Sequence, residues 1–149
     1  MKLVTIAFLL ASSPAALAAQ LIPPPLDLPV SGQVTQSNIH RTICKLGWTK
    51  LVRPSYSYTH RMKLQKLRQK GLSQASISRF ELDHLIPLDL GGDPYSTNNL
   101  ALEPWAEARR KDVVEYCLTS AVCAGSVRLT AAQRAIWEDW RRAGRLCRR

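Results

Sequence analysis

A hairpin that runs directly into a helix is the pattern that most restricts how this chain can fold. Residues 81–90 form an apolar run that alternates imperfectly and contains Pro87, which is typical of one arm of a ribbon or of an edge strand. The glycines at 91–92 predict a turn with positive φ angles, and residues 99–102 provide a short return arm. Pro104 then fits the first turn of a helix. The expected fold class is therefore α+β, with two short strands leading into a helix.

Further elements are predicted on the N-terminal side of this hairpin. Residues 60–70 carry apolar side chains at helical spacing among basic ones, and Gly71 follows where a glycine would end a helix. Residues 43–52 mix β-branched and aromatic side chains, which predicts a short strand or an extended segment.

The C-terminal helix is the best-marked element of the sequence. Thr130 and Gln133 form a capping box, Ile136 and Trp140 are spaced i, i+4, and Gly144 stands at the exit. Three tryptophans are interpreted as core residues and not as stacking platforms for bases: Trp105, Trp137 and Trp140.

The N-terminus has the features of an export signal. A lysine precedes a short apolar run, and residues 16–18 (Ala-Leu-Ala) supply the small residues of a cleavage site. A membrane-spanning helix needs about 20 apolar residues, whereas this run meets two serines and a proline first. Residues 1–19 are thus predicted to be a signal peptide, residues 20–33 a Pro-rich leader and residues 34–149 the domain. The protein is expected to be periplasmic or extracellular, with no stable membrane insertion.

The cysteines support an oxidising compartment, where an even number of them favours disulfides. Four cysteines permit three pairings, and Cys44 with Cys123 is the first expectation, which leaves Cys117 and Cys147 for a second bridge. A zinc site is the alternative, but no Cys-x-x-Cys pair is present and the spacing is irregular.

The charges are segregated along the chain. The formal net charge is +10, which favours an acidic partner, with nucleic acid first and an anionic membrane surface second. No acidic residue lies between Asp27 and Glu81, whereas no lysine or arginine lies between Arg79 and Arg109. An acidic island within a basic chain suits a cation held against a polyanion, because carboxylates bind metal while the basic flanks neutralise phosphates.

The run "LDHLIPLDLGG…NNL…KD" resembles the HNH endonucleases, whose ββα-metal motif carries an Asp-His or His-His pair, a middle Asn and metal ligands on the following helix. The chain after the leader also looks like a group of small exported bacterial HNH proteins. The resemblance implies a ββα-metal hairpin–helix motif with additional flanking helices, stabilised by disulfides. It also implies hydrolysis of phosphodiester bonds in DNA with little sequence preference.

The resemblance implies roles for three residues of the hairpin. His84 would take the proton of the attacking water, since an imidazole titrates near neutral pH. Asp83 would reach a divalent ion from the opposite face of the arm. Asn99 would tie the loop or hold the histidine, with Asn98 as the alternative if the alignment shifts by one.

The helix departs from the family pattern. The third motif residue, nine positions after Asn99, is Ala108, which cannot bind a metal. Asp112 lies one turn further on the same face and is the preferred ligand. Glu107 and Glu115 could substitute, and Glu103 is less favoured. Oxygen ligands would favour Mg²⁺ or Mn²⁺, with Zn²⁺ possible.

Basic residues outside the motif are candidates for binding nucleic acid, with DNA favoured over RNA. Two alternative functions stay open. One is a non-catalytic basic binding protein on a degenerate HNH scaffold. The other is a secreted nuclease toxin, for which an immunity protein would be a partner. The candidate contacts are Arg53, His60, Lys63, Lys66, Arg109 and Arg110.

Overall fold

The computed structural model describes residues 27–147, so the predicted signal peptide and the first part of the leader lie outside it. Four α-helices and two strands are connected by turns and short 3₁₀ segments. In chain order these are α1 (Trp48–Val52), α2 (Tyr56–Gln69), β1 (Phe80–His84), β2 (Leu100–Pro104), α3 (Trp105–Cys123) and α4 (Leu129–Ala143). The expected mixture of helices with a small sheet is confirmed.

Strands β1 and β2 form an antiparallel pair that continues without a loop into α3. Phe80 is paired with Pro104 and His84 with Leu100, so the two ends of the hairpin are fixed in register. Pro104 closes β2 and is the residue before the first turn of α3, where a missing N–H costs nothing because that turn has unpaired donors anyway. The side chains on α3 therefore have fixed positions relative to the two strands.

The loop between the strands is long and compact. Asn99 is fully buried, and its amide group accepts from the N–H of Ile86 (2.8 Å) and donates to the carbonyl oxygens of Ile86 and Asp93 (3.0 Å each). Gly91 has a φ of 75°, as a turn glycine should. Gly92 has no positive φ, but a Cβ there would lie 1.8 Å from the Ile86 carbonyl oxygen, so only glycine permits this approach.

The core lies between this loop and the two long C-terminal helices. Ile86 and Leu90 from the loop are completely buried and pack with Leu118 of α3 and Ile136 of α4. Helix α4 carries a kink at Asp139, where the backbone is not helical. Apolar side chains of the loop thus fix the end of β1 against the helices.

Two disulfides join distant parts of the chain, and the predicted Cys44–Cys123 pairing is confirmed. The second bridge joins Cys117 on α3 to Cys147 after α4. Disulfides persist in non-reducing compartments, so the two bridges indicate that the folded protein resides in one. No helix within residues 27–147 is long and apolar enough to cross a membrane.

The described part of the Pro-rich leader packs on the loop. Val30 forms an isolated bridge with Gly92, and the N–H of Asp93 donates to the Pro29 carbonyl oxygen at 2.9 Å. Leu28 and Val30 also contact the core. The packed region therefore extends to the N-terminal side of Val34, where the domain was expected to begin.

Several predictions of local structure are wrong. Residues 43–52 are not a strand, because a turn at Gly47 (φ 85°) starts the short helix α1. Helix α2 begins before residue 60, with the Ser55 hydroxyl accepting from the N–H of Tyr58. Of the three tryptophans expected in the core, Trp137 and Trp140 pack against it, but Trp105 is 40% exposed.

The capping box predicted for α4 does not form either. The helix starts at Leu129, whose N–H donates to the side chain of Gln36 at 2.7 Å. The Gln133 amide donates instead to the buried carbonyl oxygen of Leu90 at 2.8 Å. A long-range contact of Gln36 thus caps α4, and Gln133 forms a tertiary contact in place of the predicted capping box.

Candidate active site

A small polar cavity of about 70 Å³ lies where the end of β1 faces α3. Strand β1 contributes Glu81, Asp83 and His84, while α3 contributes Asp112 and Glu115. The exposed Arg53, after α1, completes its charged lining. The structure therefore brings together the predicted Asp83, His84, Asp112 and Arg53.

His84 is 7% exposed, and its Nε2 lies 3.3 Å from the carbonyl oxygen of Pro94. Burial lowers the pKa of His84 below its ordinary value of 6.5 and outweighs the opposing influence of that contact and of Asp83. A lowered pKa keeps the imidazole neutral at neutral pH. The side chain is thus in the protonation state that can accept a proton.

Lys111 is the most deeply buried charged residue of the site, with a side chain that is 2% exposed. Its ammonium donates to the Asp83 carboxylate (Oδ2, 3.0 Å), to the carbonyl oxygen of His84 (2.7 Å) and to the carboxylate of Glu115. Burial alone would lower the pKa of Lys111, but Glu115 and Asp83 outweigh burial and raise it. The Lys111 ammonium therefore fixes both the Asp83 side chain and the His84 backbone.

Negative charge is in excess around this lysine. Burial raises the pKa of Glu115 to about 7, although Lys111 opposes the shift. Burial, and then repulsion from Asp83 and Asp112, also raises the pKa of Glu81. Carboxyl groups whose pKa values are raised, first by burial and then by neighbouring carboxylates, take up protons more readily than free ones, and a nearby cation would oppose this.

The predicted metal ligands are only partly brought together. Asp83 and Asp112 both line the cavity, but Glu107 does not, and its carboxylate is bonded to Arg110 and Arg141. Within residues 27–147, no three Asp, Glu, His or Cys side chains are arranged as a metal-binding group. Ala108 is buried at 1% exposure, in keeping with a packing role.

The predicted nucleic-acid contacts lie in three places. Arg53, His60 and Lys63 line one groove beside the cavity. The Lys66 ammonium donates instead to the Thr97 carbonyl oxygen at 2.8 Å, which ties α2 to the loop. Arg109 and Arg110 are exposed on α3, where Arg110 pairs with Glu107 at 3.1 Å.

Two features of the site were not predicted from the sequence. Lys111 was not among the predicted site residues, and the one local signal of its role was the i, i+4 spacing to Glu115. Trp105 was assigned to the core, yet its indole lines the groove and donates from Nε1 to the Ser78 carbonyl oxygen at 2.9 Å. Both depend on how the hairpin packs on α3.

Comparisons with known proteins found no matching family model, no similar curated protein and no similar solved structure.

Proposed function

We propose that this protein is an HNH-type endonuclease that hydrolyses phosphodiester bonds of DNA. The observation that carries the proposal is the buried, neutral His84 at the end of β1, beside carboxylates on a hairpin that runs directly into α3. Resemblance of the Asp-His, Gly-Gly and Asn positions to the HNH motif supports the same reading.

His84 is the general base of the proposed reaction. A neutral imidazole can accept the proton of a water that attacks phosphorus, and the contact of Nε2 with the Pro94 carbonyl oxygen orients the ring. The cavity beside it holds about 70 Å³, which is room for water and too little for a nucleotide. The phosphate would therefore approach from outside, where Arg53 is exposed and can neutralise it.

Lys111 and Asn99 are positioning residues in this proposal. Lys111 bonds to the His84 carbonyl oxygen and to Asp83, and Asn99 bonds to the backbone of Ile86 two residues on. Together they fix the backbone on both sides of the imidazole. Neither needs to touch the substrate to influence the rate, because the geometry of the base depends on them.

A divalent cation, with Mg²⁺ or Mn²⁺ favoured, is part of the proposal. The donors in the cavity are carboxylate oxygens, which suit hard cations. Asp83 and Asp112 would hold it, but Lys111 shares the Asp83 carboxylate, so the ion would have to use the remaining oxygen or displace the lysine. When bound, the ion would supply positive charge to the phosphate as negative charge develops.

The proposed substrate is DNA bound mainly through phosphates. The net charge of +10 and the exposed basic residues favour polyanions of any sequence. The sequence-predicted signal peptide would send the enzyme to the periplasm or outside the cell, in agreement with the two disulfides.

Replacement of the general base tests the function. His84→Ala should lower plasmid nicking about 10²- to 10⁴-fold or more in Mg²⁺ or Mn²⁺ while DNA binding is retained. The matched control is His40→Ala, since His40 is exposed on the 3₁₀ segment Ile39–Arg41 and does not line the cavity. Equal nicking by His84→Ala and the wild type would refute the assignment, and activity unaffected by EDTA would refute the metal.

A further inference from the structure

A groove of about 470 Å³ lies beside the catalytic cavity, between α2 and the start of α3. Its lining includes the aromatic residues Tyr56, His60 and Trp105 and the basic residues Arg53 and Lys63. Glu81 is the single carboxylate in that lining. This volume is in the range of sites that bind small organic molecules.

The aromatic rings of the groove are exposed and held in place. Tyr56 is 80% exposed and stacks on His60, with centroids 5.6 Å apart and planes 27° apart. Trp105 is 40% exposed, its indole is fixed by the bond to Ser78, and Lys63 Nζ lies 5.9 Å from its ring centroid. Exposed aromatic rings that are grouped in one groove beside basic side chains are typical of an interaction site, so this groove indicates a ligand with a flat face.

The charge of the groove and its position beside the cavity restrict which ligands it can bind. Arg53 and Lys63 give the groove positive charge beside the rings, which suits a phosphate next to an aromatic base. Arg53, Glu81 and Leu82 line both the groove and the catalytic cavity, so the two are adjacent. A strand lying in the groove would present a neighbouring phosphodiester to His84.

We propose that this groove is a stacking subsite for an unpaired nucleobase of the polynucleotide strand that is cleaved. The inference rests on the proposed function and deepens it, since it assigns the substrate class. Bases in a duplex are stacked on each other and cannot offer their faces to Tyr56 or Trp105. Single-stranded or locally melted segments are therefore the preferred substrate, and the rings hold the base while Arg53 and Lys63 hold its phosphates.

Binding to the full-length, oxidised protein tests the subsite separately from catalysis. Fluorescence anisotropy with a labelled oligothymidylate, an oligouridylate and a hairpin duplex is measured in EDTA on the His84→Ala background, so that nothing is cut. Tyr56→Ala and Trp105→Ala should each weaken oligothymidylate binding about tenfold, and duplex binding less. Tyr56→Phe and Trp105→Phe should restore it, because the flat face is kept.

The control is Tyr116→Ala, on α3 and outside the groove, since Tyr116 is 76% exposed and so closely matches Tyr56. The inference is overturned if Tyr56→Ala and Tyr116→Ala bind oligothymidylate equally well, or if duplex binding falls as much as single-strand binding. A larger effect with oligouridylate than with oligothymidylate supports the subsite and assigns it to RNA. Loss of nicking in His84→Ala is read separately, so either idea can fail alone.

Discussion

The polar cluster of Lys111, Asp83 and Glu115 and the aromatic groove beside it both contain charged side chains, but the two regions differ in how far those residues are buried. In the cluster, Lys111 is almost fully buried, and each carboxylate it meets is bonded to it. In the groove, Tyr56 and Trp105 are exposed, and Lys63 faces a ring instead of an acid. The buried polar groups of the cluster are bonded to one another, whereas the groove leaves its aromatic surfaces available.

The buried cluster should therefore contribute to the stability of the fold, whereas the exposed groove should contribute to ligand binding. A buried charge that loses its partner destabilises the fold, while an exposed aromatic ring can be removed at little cost to folding. Substitutions in the cluster should thus change the free energy of unfolding, and substitutions in the groove should change binding alone. The following four predictions test that division, beginning with the largest effect.

The largest effect is expected for Lys111→Met. Loss of the ammonium leaves the carboxylates of Asp83 and Glu115, each with a side chain 14% exposed, without a counter-charge, which should lower the free energy of unfolding by about 3–5 kcal/mol. Urea unfolding of the oxidised protein measures it. Arg110→Met, one residue away with a side chain 73% exposed, should change it by less than about 0.5 kcal/mol. Adding Glu115→Gln should restore part of the loss, and no restoration would mean that packing and not charge is responsible.

A smaller loss, about 3 kcal/mol, is expected for Asn99→Ala. The substitution leaves the N–H and carbonyl oxygen of Ile86 buried without partners. Asn98→Ala is the matched control, because Asn98 is exposed and should tolerate the change within about 0.5 kcal/mol. Comparable urea midpoints for the two variants would contradict a loop held by the Asn99 amide.

The pH dependence of unfolding in EDTA should reveal two opposing groups. The lowered pKa of His84 gives stability that is present above 6.5 and is lost as pH falls through the folded-state value. The raised pKa of Glu115 gives stability that is present below 4.5 and is lost as pH rises through about 7. Between pH 4.5 and 6.5, Glu115→Gln should make the slope of stability against pH more positive than in the wild type, and His84→Gln should make it more negative. Identical slopes in the two variants would disprove the assignment.

The smallest effect is expected in the groove. Tyr56→Ala should change the free energy of unfolding by less than about 0.5 kcal/mol, because the ring is mostly in solvent. The urea midpoint measures this on the same protein used for binding. A loss above about 1.5 kcal/mol would show that the ring supports α2 and would end the distinction between cluster and groove.

The sequence predicted the features that are local or covalent. The order of strand, strand and helix followed from Gly91, Pro104 and the apolar spacing, although β1 ends at His84 and does not reach residue 90 as expected. The Cys44–Cys123 pairing was the first expectation. The resemblance to the HNH motif predicted that Asp83 and His84 belong to one candidate site, and both line the cavity. These features depend on residues that are close in sequence or on a pattern already familiar.

The features that were missed depend on contacts between distant segments. Lys111 meets Asp83 from 28 residues away, and nothing in a helix pattern indicates that a lysine will point inward. Gln133 was expected to cap its own helix but donates to Leu90, 43 residues earlier. Trp105 faces the groove because the 3₁₀ segment before β1 offers it the Ser78 carbonyl oxygen. Packing decided each of these, and propensity could not.

The segment before α1 also makes contacts that can form only after much later parts of the chain are present. Gln36 caps α4 across 93 residues, Cys44 bonds across 79, and Val30 pairs with Gly92. Contacts between residues so far apart in sequence slow folding, because closing the long chain between them costs conformational entropy. As the polypeptide is synthesised from its N-terminus, Gln36 and Cys44 must therefore wait until Leu129 and Cys123 have been made before they find their partners.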